Sequence, residues 1–106
     1  MADDPLDALD ALIRSRKGQD PTSSYTAKLF ADGRAKIAQK VGEEAVETVI
    51  AALGTDRKAL TGEAADLVYH LLVLLADAGL GLDDVRAELA RRTGTSGLTE
   101  KANRPA

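Results

Sequence analysis

Two short acidic stretches carry the chemistry of this 106-residue chain: Glu43-Glu44-Ala45-Val46-Glu47 and Glu63-Ala64-Ala65-Asp66. Carboxylates recur three or four residues apart, so on a helix those of each stretch share one side. Like charges at that spacing cost an isolated helix roughly 0.2–0.5 kcal/mol per pair. A sequence that accepts this in two neighbouring segments needs a cation. Oxygen donors, with no cysteine and a single histidine in the chain, suit Mg²⁺ or Mn²⁺ rather than zinc or copper. Mg²⁺ held by a few carboxylates completes its shell with water and substrate phosphates. The chemistry expected is therefore metal-assisted hydrolysis of a phosphate or diphosphate linkage. A carboxylate not fully engaged by the metal would orient or deprotonate the attacking water. The sequence has no glycine-rich P-loop and no dinucleotide fingerprint, which argues against a kinase or a motor-type ATPase.

The elements that must position these acids read as helices. Periodicity is helical throughout and no stretch alternates strictly, so the expected fold is all-α, a bundle of four to five helices in one domain over 1–106. The first helix is expected from about Pro5 to Lys17, with Asp4 as N-cap, Gly18 beyond its end and an apolar stripe of Leu6, Leu9, Leu12 and Ile13. Ser23 or Ser24 caps a short helix carrying Ala27, Leu29 and Phe30, with Gly33 at its end or in a bend. A long helix follows from about Arg34 to Leu53, then another from about Asp56 to Ala78, stopped by Gly54 and Gly79. A last helix opens at Leu82 or Asp83 and ends near Arg92. From about Thr93 to Ala106 the composition turns to Thr, Gly, Ser, Lys, Asn and Pro, the mark of a mobile or ligand-ordered tail.

On a 3.6-residue wheel, Ile37, Val41, Ala45, Val49 and Leu53 form one apolar face of the long helix, and Val46 and Ile50 a second. The stripe between them holds Lys36, Lys40, Glu43, Glu44 and Glu47, which on its own could be an ordinary solvated face. The following helix is different. Its apolar residues, Leu67 to Leu75 above all, cover nearly every direction and leave one strip with Glu63, Asp66, His70 and Asp77. Such a helix is expected to be central or at an oligomer interface, so its charges must be paired, protonated or metal-bound. A salt-bridge network with Lys36 and Lys40 is the competing explanation, but five carboxylates (Glu43, Glu44, Glu47, Glu63, Asp66) outnumber two lysines. Asp77 lies roughly 16 Å along the axis from Asp66, too far to share its metal.

Composition narrows the partners. A net charge of −3 and only Tyr25, Phe30 and Tyr69 as aromatics argue against a nucleic-acid binder. The start Met-Ala-Asp-Asp-Pro does not read as a signal peptide, and the Leu67–Ala76 run, broken by His70, is too short for a membrane span. A soluble, cytoplasmic protein is expected, and a helix this apolar in so short a chain implies a homodimer.

The flanking residues are recognisable. The Glu-x-x-Glu of Glu44 and Glu47, followed by the Glu-x-x-Asp of Glu63 and Asp66, resembles the all-α nucleoside triphosphate pyrophosphohydrolases of the MazG-like superfamily. Ser24-Tyr25-Thr26-Ala27-Lys28-Leu29-Phe30, Lys40-Val41-Gly42-Glu43-Glu44, the segment Glu63 to Leu75 and the tail Ser96-Gly97-Leu98-Thr99-Glu100-Lys101 look like the phosphoribosyl-ATP pyrophosphohydrolase family within it. The resemblance spans about Ser23 to Arg104. It implies Mg²⁺-dependent cleavage of phosphoribosyl-ATP to phosphoribosyl-AMP and diphosphate, the second step of histidine biosynthesis, by a homodimer.

Carried over residue by residue, the resemblance makes Glu44, Glu47, Glu63 and Asp66 metal ligands, and Glu43 a further ligand or the group that positions the water. Lys28 and Lys40 lie in matching segments and are assigned to substrate phosphates on charge; Lys101 and Arg104 would join them if the tail folds back. Tyr25 is either an adenine-stacking or phosphate-bonding group or part of the core, and His70 either a partner of a ligand carboxylate or an interface histidine. Two other functions compete: a housecleaning pyrophosphohydrolase for non-standard nucleoside triphosphates, and a non-catalytic domain whose acidic stripe binds a basic partner.

Overall fold

A computed structural model describes residues 4–93 and 101 of the chain. The described residues form five helices and no strands: α1 (Pro5–Arg16), α2 (Tyr25–Asp32), α3 (Arg34–Ala52), α4 (Arg57–Asp77) and α5 (Leu82–Arg92). Each boundary lies within a residue or two of the position that caps and stop signals mark in the sequence. Asp4, Ser24 and Asp56 accept backbone hydrogens of Leu6, Ala27 and Ala59, so three helices start on a side-chain cap. At α5 the bond runs the other way: the Asp84 carboxylate reaches back to accept the Gly81 N–H at 2.8 Å.

Gly33 is the whole connection between α2 and α3. Its N–H donates to Leu29 and Phe30, ending one helix, and its carbonyl accepts from Ile37, beginning the next. The turn needs φ +97°, open to glycine and strained for other residues. Gly79 ends α4 at φ +78°. There Leu80 N–H donates to the Leu75 carbonyl and Gly79 N–H to that of Ala76, the paired bonds of a Schellman stop. The last α4 carbonyls also accept from basic side chains of other elements. Lys17 Nζ lies 3.0 Å from the Ala76 carbonyl, and Arg34 bonds both the carbonyl and the carboxylate of Asp77. These cations also oppose the negative end of the helix dipole.

α3 and α4 pair more extensively than any other two helices, with α1 packed on α4 and α2 on both. The core is Ile13, Leu29, Ile37, Leu72, Val73 and Ala76, with Ile37 and Val73 fully buried. Two expectations need correction. α4 is central, but only His70, Leu72, Val73 and Ala76 along it are buried, while Val68 and Leu71 are exposed. Its apolar character is thus split between the core side and an outer side. By length and composition the 21-residue helix could cross a bilayer, although Leu67–Ala76 alone could not. On α3, Ile37 is the one buried apolar residue, and Val46, Val49, Ile50 and Leu53 are exposed, Leu53 at 84%.

α1 holds a buried carboxylate that its apolar stripe did not suggest. Ile13 is buried as expected, whereas Leu6 and Leu12 are exposed and Asp10 is buried. Asp10 Oδ2 pairs with Arg14 at 2.9 Å and Oδ1 accepts the Leu82 N–H at 3.3 Å. That second bond holds the start of α5 to α1, where Arg86 adds ion pairs to Asp4 and Asp7. Asp10→Ala leaves a part-buried N–H and a guanidinium without their acceptor. We expect it to lower unfolding free energy by about 1–3 kcal/mol in a urea titration.

Candidate active site

The α3–α4 pairing brings the two acidic stretches together. One carboxylate oxygen each from Glu44, Glu63 and Asp66 lie within 4.8 Å of one another. Glu44 is 7% exposed, Glu63 half-buried and Asp66 exposed. Glu47 stands outside that mutual reach, yet its carboxyl approaches both Glu44 and Glu63 closely enough to perturb them. The four acids expected as ligands are therefore neighbours. The Oε2 atoms of Glu44 and Glu63 are buried and have no hydrogen-bond partner. Buried, unpartnered carboxylate oxygens are costly, and a hard divalent cation coordinated by oxygen would satisfy them.

Electrostatics tell the same story. Burial, then the Glu47 carboxyl and then Asp66 push Glu44 above the usual carboxylate range, against a small opposing pull from His70. Glu63 is pushed up first by contact with Glu47, then by burial and the charges of Glu47, Glu44 and Asp66. Both sit where ionisation is resisted unless positive charge arrives.

One lysine lies beside the cluster. Lys40 Nζ is 3.3 Å from Glu43 and 3.9 Å from Glu44, and its ammonium form is favoured chiefly by Glu43. Glu43 is exposed and held by Gln39 at 3.0 Å as well as by Lys40, which together keep it below the usual range. Its carboxylate thus belongs to a solvent-facing pair with Lys40. Lys36, the second lysine of the stripe, is exposed, and its charge helps keep Glu43 ionised. Gln39, Gly42, Glu43, Val46 and Glu47 line an open groove of about 800 Å³ next to the acids.

α2 borders the site on the other side. Tyr25 Oη lies 3.1 Å from His70 Nε2, and His70 Nδ1 lies 2.7 Å from the carbonyl of Asp66. The hydroxyls of their neighbours in sequence, Thr26 and Tyr69, bond to each other. The Tyr25 ring, 52% exposed, stacks beside Tyr69 at 6.2 Å and meets His70 edge-on. Tyr25 is thus neither core nor free. Tyr69, half-buried on α4, helps hold this α2 contact. Lys28 pairs with Asp32 at 3.0 Å and lines a second groove, of about 640 Å³, with Tyr25, Ser24 and Thr22. Lys101 is exposed, while Arg104 and the Ser96–Leu98 segment lie outside the described residues.

Helix wheels missed the Tyr25–His70 contact because it crosses between elements. The available signal was the pairing of a tyrosine just after the Ser24 cap with the single histidine of the chain. The raised values for Glu44 and Glu63 fix a sign. Below about pH 4.5 folded and unfolded chains both hold these protons. As pH rises, the unfolded chain releases them first, so stability falls until the folded groups ionise. Without divalent metal, Glu44→Gln should therefore melt a few degrees above wild type at pH ~7, a gain that vanishes below pH ~4.5. Calorimetric scans across pH check this.

The sequence profile of the family described as phosphoribosyl-ATP pyrophosphohydrolase matches residues 6–93. A phosphoribosyl-ATP pyrophosphatase of Rhizorhabdus wittichii is 64% identical over 100 residues, covering 94% of each chain. One from Paramagnetospirillum magneticum is 65% identical over 99 residues, 93% of this chain and 91% of that relative. The namesake of Rhizobium meliloti is 57% identical over 104 residues, 98% of this chain and 97% of its own. With the match extending over nearly every described residue, this chain belongs to the phosphoribosyl-ATP pyrophosphohydrolase family.

Proposed function

We infer that this chain hydrolyses phosphoribosyl-ATP to phosphoribosyl-AMP and diphosphate, the second step of histidine biosynthesis. Family membership supports the substrate, and the observation that carries the chemistry is the pair of buried, unpartnered oxygens of Glu44 and Glu63 at the α3–α4 seam. Glu44, Glu47, Glu63 and Asp66 would hold a divalent cation, and an all-carboxylate donor set fits Mg²⁺, with Mn²⁺ as a substitute. Such a cation would supply positive charge to offset that on the phosphate oxygens.

The chain's own residues supply the rest. Glu43, ionised and solvent-facing, is suited to orient the attacking water; the Gln39 and Lys40 contacts that hold its pKa down make it a weak base. Lys40, 3.3 Å from Glu43 and 3.9 Å from Glu44, would face the polyphosphate. Lys28 and Tyr25 line the adjoining groove and are assigned to the remainder of the nucleotide. Lys101 and Arg104 are assigned to substrate phosphates as the tail's contribution. A basic-partner-binding role without catalysis has less support, since it gives no reason to bury acids without partners.

A homodimer in the cytoplasm goes with this reading. Val46, Val49, Ile50 and Leu53 on α3 and Val68 and Leu71 on α4 are apolar surface that a second copy would cover, and Val46 lines the groove beside Glu43 and Glu47.

Glu47→Gln and Asp66→Asn should each lower turnover of phosphoribosyl-ATP with Mg²⁺ by about a hundredfold or more while the protein stays folded. In a panel with free nucleoside triphosphates, phosphoribosyl-ATP should be cleaved fastest; faster cleavage of a free triphosphate would reassign the enzyme to the housecleaning relatives. Sedimentation should give a dimer at micromolar concentration, and Ile50→Glu should shift it to monomer.

A further inference from the structure

The single histidine of the chain, His70, is buried where α2 meets the acidic seam. Its two ring nitrogens have unequal partners. Nδ1 is 2.7 Å from the Asp66 backbone carbonyl, which can only accept, so Nδ1 carries the proton. In the neutral ring Nε2 then offers a lone pair, and the Tyr25 hydroxyl 3.1 Å away must donate to it. With its one proton committed inward, Tyr25 Oη has only lone pairs left to turn outward.

Where those lone pairs stand is set by the surroundings. The Asp66 turn places His70 against the metal-ligand strip of α4, and the Glu44 carboxyl feels the His70 ring. Lys40, paired with Glu43 and Glu44, feels the Tyr25 phenol. Tyr69 stacks beside the Tyr25 ring, and the Thr26–Tyr69 bond holds the same α2 turn to α4. Tyr25 is thus half-exposed, rigidly backed and at the rim of the acidic centre.

We propose that His70 is a positioning residue that fixes the Tyr25 hydroxyl as a hydrogen-bond acceptor for a hydroxyl or amino group of the nucleotide. This rests on the pyrophosphohydrolase reading for its substrate and narrows the role of Tyr25. A phosphate oxygen, itself an acceptor, is not what Tyr25 binds. The sugar hydroxyls and the adenine amino group are the donors such a substrate carries. A loss at Tyr25 should therefore appear in KM, since the bond is made to a part of the substrate remote from the reacting phosphorus.

The side chains that separate the two halves of His70 are amides. His70→Asn keeps a donor near the Asp66 carbonyl and loses the acceptor for Tyr25, whereas the longer side chain of His70→Gln reaches with an oxygen toward Tyr25. Expected are two- to tenfold losses in kcat/KM for Tyr25→Phe and His70→Asn, carried by KM. The double variant should be no worse than the poorer single one, and His70→Gln should recover most of the His70→Asn loss. Additive losses, or a better rescue by asparagine than by glutamine, would mean that His70 merely tethers the Asp66 turn and would overturn the proposal. A readout that needs no activity comes from the lone imidazole in ¹⁵N-edited spectra of the wild-type protein at pH ~8. A proton on Nδ1 is required, and one on Nε2 sinks the idea. Absence of phosphoribosyl-ATP turnover by the wild type would instead count against the functional reading, leaving the tautomer test to stand by itself.

Discussion

Everything in this structure is arranged around carboxylates that repel one another across the α3–α4 seam. Glu44, Glu63 and Asp66 converge there with Glu47 beside them, and two of their oxygens are buried without a partner. The seam cannot open to relieve them, because α3 and α4 are also the helices that hold the core together. Repulsion at one end of the pair is therefore carried by apolar packing at the other, around Ile37 and Val73. Burial first, then the neighbouring carboxyls, push Glu44 up, and contact with Glu47, then burial and the surrounding charges, push Glu63 up. A cation that binds only the folded arrangement would convert the repulsion into stability by mass action.

Charge elsewhere in the bundle is handled in the opposite way. At the far end of α4 the last carbonyls meet Lys17 and Arg34, and buried Asp10 meets Arg14 and an α5 amide. These groups are satisfied within the protein and so have nothing left for a ligand. Among the described residues, only at the seam is a buried charge left incomplete, with Lys40 leaning toward Glu43 more closely than toward Glu44. That contrast separates a structural ion pair from a site waiting for a ligand.

The helices themselves were legible because their signals are local. Asp4, Ser24 and Asp56 as caps, Gly33 and Gly79 as stops and the 3.6-residue period need only near neighbours in sequence. The four acids were legible too, from spacing and resemblance. Their burial was not. The wheel marked α4 as the helix whose acids could not face solvent, yet the most buried of them is Glu44 on α3, and Asp66 is exposed. A wheel counts apolar neighbours on its own helix, whereas burial is decided by what the next helix lays over it. Asp10 and the Tyr25–His70 bond escaped for the same reason, as each joins elements tens of residues apart.

Once the two helices are paired, the periodicity does hold the answer. On α3 the buried residues are Ile37 and Glu44, seven apart and so on one face. On α4 the run Val73, His70, Asp66 and Glu63 steps back by three, four and three residues along one stripe. Both helices thus carry a stripe along their shared seam that is apolar at one end and ionisable at the other. Ile37 and Val73 belong to the same core cluster, while Glu44, Asp66 and Glu63 meet further along the seam. The candidate active site is the hydrophobic core continued with charged side chains. This explains how so small a chain brings these acids together: they inherit the register that the core packing sets. It also explains why His70 lies where it does, at the step of the α4 stripe where packing gives way to chemistry, with α2 and its tyrosine docked on that boundary.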